Sequence, residues 1–111
     1  MDYNNRTFRG RTNSASGEVG GETLFHYYQE GDRLTGTYSG GTVVQGHLIG
    51  NVLPDGRLEF LYHHVNTSGE LMAGKCNSVP SEDAHGKLVL QEEWQWLTGD
   101  RSSGQSEVEE I

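Results

Sequence analysis

Short runs in which apolar and polar residues alternate, separated by glycine-rich breaks, recur about every 10 to 14 residues along the chain. A repeat of two places successive side chains on opposite faces of a strand, so each run predicts a strand with one buried face. The breaks place the strands at Arg6–Arg11, Glu22–Gln29, Arg33–Ser39, Thr42–Val52, Arg57–Asn66, Glu70–Ser78, Lys87–Leu97 and Gln105–Ile111. The turn signals are specific: Glu30-Gly31-Asp32, Gly40-Gly41, Pro54-Asp55-Gly56 and Thr67-Ser68-Gly69 each set glycine where a left-handed backbone is needed. Two connections are longer. Asn13 to Gly21 is loop by composition, and Val79 to Gly86 reads as an irregular loop marking one mouth. The final run offers only Val108 and Ile111 as apolar anchors, amid Glu107, Glu109 and Glu110. No apolar stripe of helical period appears, and crossover helices are missing, so the expected fold is all-β: an up-and-down antiparallel barrel of about eight strands, spanning 1–111 as one domain.

Composition fits a thin core. Hydrophobic residues are 32% of the 111, and 16 glycines against 2 prolines leave the tight bends to glycine. The net charge of −8, with no Lys/Arg cluster, argues against a nucleic-acid partner. No run approaches the roughly 20 apolar residues of a membrane-spanning helix, and the opening MDYNNRTFRG has no apolar segment of signal-peptide length. The one cysteine, Cys76, cannot pair within the chain and reads as a small buried residue; a cytoplasmic location is the expectation.

Candidate chemistry is sparse. His63 and His64 are consecutive on a strand and point to opposite faces, so they are not a chelating pair. A metal site from His47, His64 and Glu92 is open to a barrel, but half-buried hydrogen-bonding histidines are the simpler reading, and neither a metal nor a cofactor is expected. Glu82, Asp83 and His85 sit in a solvated loop. Gly-x-Ser-x-Gly does not occur, so no catalytic residue is assigned.

Gly31-Asp-Arg-Leu-Thr-Gly-Thr-Tyr38 resembles the second strand of the avidin and streptavidin family, and Gln95-Trp-Leu-Thr98 before a Gly/Ser turn is similar to that family's penultimate strand. The resemblance implies a small ligand-binding barrel, with Tyr38 as a ligand-contacting tyrosine and Trp96 as a wall tryptophan. It departs at Gly40, where the family has serine two residues after the tyrosine, and near His64 and Met72, where strand rhythm would set further tryptophans. It therefore implies the barrel and two wall positions rather than biotin as the ligand. The landmarks Phe25-His-Tyr27, His64-Val-Asn66, Gly69-Glu-Leu-Met72 and Trp94-Gln-Trp96 also resemble short bacterial proteins that carry the label N-acetylglutamate synthase. Acetyl transfer from coenzyme A usually relies on a glycine-rich pyrophosphate site opening a helix, and this chain shows neither.

If Tyr38 faces inward, alternation brings Leu34 and Gly36 with it; Trp96 brings Trp94, Glu92 and Leu90; and Leu58, Phe60, Tyr62 and His64 share the inner face of their strand. The leading expectation is non-catalytic binding of a small molecule by Tyr38, Tyr62, His64, Glu92, Trp94 and Trp96 at the inner face or mouth. The alternative is an interaction or oligomerisation module, with a packed interior and a homo-oligomer as the partner. An enzyme using His64 and Glu92 ranks last.

Overall fold

Each alternating run forms a strand in the computed structural model, which describes residues 2–111. The eight strands are β1 (Arg6–Asn13), β2 (Leu24–Glu30), β3 (Arg33–Gly40), β4 (Val43–Val52), β5 (Leu58–Asn66), β6 (Leu71–Glu82), β7 (Leu88–Trp96) and β8 (Ser103–Glu110). Every strand pairs antiparallel with its sequence neighbours, and β8 returns to β1, which closes the sheet into an up-and-down barrel. Closure removes the free sheet edges. It also puts the β1–β2, β3–β4, β5–β6 and β7–β8 connections at one end, here called the upper mouth.

Three expectations need correction. Val79 to Gly86 is not an irregular loop: β6 runs on to Glu82 and only a tight turn follows, with Gly86 at φ 75°. Proline breaks a strand by lacking an N–H. Here the pairing of β5 with β6 stops at Ser78, so Pro80 lies in an overhang paired with β7 alone. The connection that marks a mouth is instead the β1–β2 loop, from Ser14 to Thr23. In β8, Val108 is fully buried, but Ile111 lies beyond the strand with its side chain exposed, and it is held by its backbone N–H on the Thr7 carbonyl rather than as an apolar anchor.

Charge supplements the missing apolar anchors. Arg9 and Glu109 face each other across the β1–β8 seam with Nε and Oε1 2.9 Å apart, Arg6 reaches Glu110 at 2.9 Å, and Arg11 lies 3.7 Å from Glu107. The carboxylates of β8 are thus matched by the arginines of β1.

The inward faces make one continuous core, including Phe8, Tyr27, Leu34, Leu58, Leu90 and Val108. Tyr3 closes the lower end: it is fully buried and donates its hydroxyl hydrogen to the carbonyl of Gly56 in the β4–β5 turn.

Candidate functional site

Strand alternation delivers the predicted inner row. Leu34, Gly36 and Tyr38 on β3, Leu58, Phe60 and His64 on β5, and Leu90, Glu92, Trp94 and Trp96 on β7 are all buried, with Tyr62 half-buried beside them. Glycines on the neighbouring strand make room for the rings. Tyr38 pairs with Gly46, Tyr62 with Gly74 and Trp94 with Gly104, and in each case a Cβ on the glycine would run into the ring opposite. Several of the 16 glycines are therefore seats for aromatic side chains rather than turn residues.

Above these seats the rings join into a wall. Phe25 stacks on Tyr38 with centroids 5.0 Å apart; the edge contacts Tyr38–His64, His64–Trp96 and Tyr62–Trp96 follow at 5.5, 5.8 and 5.6 Å; Trp94 meets Trp96 at 5.7 Å. The wall and Glu92 line one small interior space of about 40 Å³, bounded above by Gly17, Glu18 and Val19 of the β1–β2 loop. That is room for a few water molecules at most. All six predicted residues, Tyr38, Tyr62, His64, Glu92, Trp94 and Trp96, line it. A wider depression of about 760 Å³ takes in outward side chains of β6 to β8, such as Asn77, Glu93 and Gln105, and reaches the buried Ser78, Glu92 and Ser106 from that side, but gathers no such wall.

The polar groups sit in two places. Deep in the barrel, Glu92 accepts hydrogen bonds from the hydroxyls of Ser78 (2.8 Å) and Ser106 (3.2 Å). Among the described residues it has no ion-pair partner; burial raises its carboxyl pKa, while the bonds from Ser78, Ser106 and Cys76 oppose that rise. Burial, and next the charge of Glu92, push the Cys76 thiol well up, so the thiolate that would be reactive is disfavoured. The Tyr27 hydroxyl is also buried and has no hydrogen-bond partner among the described residues.

At the upper mouth, His64 Nδ1 lies 2.8 Å from the Tyr38 hydroxyl and Nε2 lies 2.7 Å from Glu18 Oε1. A carboxylate can only accept, so Nε2 carries the hydrogen, and in the neutral ring Nδ1 accepts from Tyr38. Burial holds the Tyr38 phenol well above its ordinary pKa, which keeps that hydrogen available. Asn66 adds a second donor, with Nδ2 3.1 Å from Glu18 Oε2. The loop is further tied to the wall through Trp96 Nε1, which donates to the Ser16 carbonyl (3.1 Å), and the end of β1 through Trp94 Nε1, which donates to Asn13 Oδ1 (2.9 Å).

Other candidates do not assemble. His47 points outward and meets His63 edge to face with centroids 5.9 Å apart, so it is separated from inward His64 and Glu92, and no group of three metal-ligating side chains occurs among the described residues. His64 and Glu92 have separate hydrogen-bond partners and form no acid–base pair. Asp83 is exposed and accepts from the backbone N–H groups of His85 and Lys87, which hold its carboxyl below the usual range; it shapes a turn. Glu18, Asn13, Asn66, Ser78 and Ser106 escaped the sequence reading. The one available signal was the Asn66-Thr-Ser-Gly69 turn, which fixes where Asn66 sits but not what its amide meets.

No curated protein and no solved structure matches the chain. A family model described as "Avidin-like protein" matches residues 1–111, the whole length. That coverage, together with the closed eight-strand antiparallel barrel, places the chain in the avidin-like family.

Proposed function

We propose that this barrel binds a small molecule without catalysis, at the inner wall beneath the upper mouth. The observation that carries the reading is the convergence of a continuous aromatic wall with a few oriented polar groups, the usual make-up of a small-molecule site. The space of about 40 Å³ is far below the several hundred Å³ of a typical pocket, so a ligand enters by displacing the β1–β2 loop residues that cap it. Native mass spectrometry of the purified protein tests for a retained compound that is lost on denaturation. Titration of such a compound should change tryptophan fluorescence saturably, and Trp96→Ala and Tyr38→Phe should weaken the response. An unaltered response in both variants removes these residues from the site.

A second reading has its own support on the outside of the barrel. Val44, Ile49, Leu61 and Leu71 are all more than half exposed on β4 to β6, and Ile49 pairs directly with Leu61. The exposed Ile49–Leu61 pair favours a second copy of the chain as partner. A monomer by light scattering at working concentrations would count against it. The free, buried Cys76 fits a reducing compartment such as the cytoplasm.

A further inference from the structure

Glu18 is a loop residue whose carboxylate lies inside the mouth of the barrel, with its side chain 23% exposed against His64 at 1%. The two donors that hold it are oriented from behind by other parts of the fold. Tyr38 occupies His64 Nδ1 and so aims Nε2–H at the mouth. The Asn66 side-chain Oδ1 accepts from the backbone N–H groups of Ser68 and Glu70, both at 3.0 Å, which fixes the amide plane and turns Nδ2 toward Glu18. Both donors are buried, His64 at 3% and Asn66 at 5% exposure. The donors belong to β5, whereas the carboxylate between them belongs to a separate, loop-borne segment.

We infer that the upper mouth is a carboxylate subsite in which the chain's own Glu18 stands in for the ligand, and that the ligand is a small organic acid with a flat apolar body. Its carboxylate takes the place of Glu18 on His64 Nε2 and Asn66 Nδ2, and its body lies against Trp94, Trp96 and Tyr62. The inference rests on the binding reading above and adds the ligand class. A neutral apolar group in the same place would leave the buried His64 Nε2–H unpaired and Asn66 Nδ2 with Glu70 alone, which disfavours it. Exchange is one for one, because Glu70 Oε1 already shares Asn66 Nδ2 at 3.1 Å, and a third carboxylate would add like-charge repulsion. Release of Glu18 also loosens the loop on one side. The bond from Thr42 Oγ1 to the Glu18 carbonyl (2.7 Å) and that from Trp96 to Ser16 remain as tethers.

The test removes the stand-in. Glu18→Ala is made together with the near-isosteric Glu18→Gln, and both are titrated with acetate and benzoate and with the neutral analogues acetamide and benzamide. The readouts are the His64 imidazole nitrogen shifts and tryptophan fluorescence. The expected result is that both acids bind Glu18→Ala saturably and at least tenfold more tightly than wild type, benzoate ahead of acetate, with a smaller gain in Glu18→Gln and none for the amides. Equal binding of benzoate and benzamide would overturn the carboxylate subsite while leaving a binding interior standing. Silence of all four probes toward a folded Glu18→Ala or Glu18→Gln protein would overturn the subsite and the ligand class together.

Discussion

Replacing Glu92 by glutamine should make the protein more stable as the pH rises, because the structure buries this carboxyl without a cation. Its partners are all neutral, the hydroxyls of Ser78 at 2.8 Å and Ser106 at 3.2 Å with the Cys76 thiol beside them, and burial dominates the upward shift of its pKa. The sign follows from proton counting. Well below the ordinary glutamate value of 4.5, folded and unfolded chains both hold the proton and Glu92 imposes no penalty. Above it, the unfolded chain releases the proton while the folded chain retains it. Stability therefore falls with pH until the raised folded pKa is passed, and then levels. One proton of difference gives a slope of at most about 1.4 kcal/mol per pH unit. For a domain of this size that is roughly 5 °C of melting temperature per unit. Glutamine does not titrate, and its amide can satisfy both serines once one hydroxyl reverses to accept. Urea denaturation of wild type and Glu92→Gln from pH 4 to pH 9, followed by tryptophan fluorescence, isolates this group because the other carboxyls cancel in the difference. The gap in favour of the variant should open above pH 4.5 and grow with pH. A gap that is independent of pH, or that widens toward acid, would refute the assignment of Glu92 as an uncompensated buried acid.

Gly74→Ala should cost about 1–3 kcal/mol in urea denaturation, since its methyl group would run into the Tyr62 ring seated opposite and the core would be overpacked. Arg9→Ala and Glu109→Ala in a double-mutant cycle should couple by about 0.2–1 kcal/mol and lose most of that coupling in 1 M salt, as expected for a part-exposed pair; a coupling insensitive to salt would contradict the electrostatic account of the seam. Cys76 should resist iodoacetamide in the native protein and react only as the barrel unfolds, because it is buried and its thiol is pushed well up; rapid native-state labelling, read by mass, would show that the core opens locally.

What could be read ahead of the structure, and what could not, divides along the range of the interactions involved. The inner row of β7 was legible because a period of two leaves no choice: once Trp96 faces inward, Trp94, Glu92 and Leu90 must follow, even though Glu92 is a charged residue type that composition would send to the surface. The same rule separated His63 from His64. Pairings across long stretches of chain escaped. Glu107, Glu109 and Glu110 looked like a poor closing strand because their partners, Arg11, Arg9 and Arg6, stand at the far end of the sequence and meet them only after closure. Val79 to Gly86 read as a loop because the early end of the β5 pairing, which leaves Pro80 harmless in a strand, is a property of β5 rather than of β6. Glu18 was hidden for a different reason. A loop has no periodicity to sort inward from outward residues, so its burial depends on His64 and Asn66 waiting for it at the mouth. The pattern has a physical consequence: the residues found by alternation form the fixed wall, held by ladder hydrogen bonds on both sides, whereas Glu18 is tied to the wall by a few side-chain contacts. The least legible residue is thus one whose side chain leaves the wall once the bonds from His64 and Asn66 are given up, which is what the proposed cap has to do.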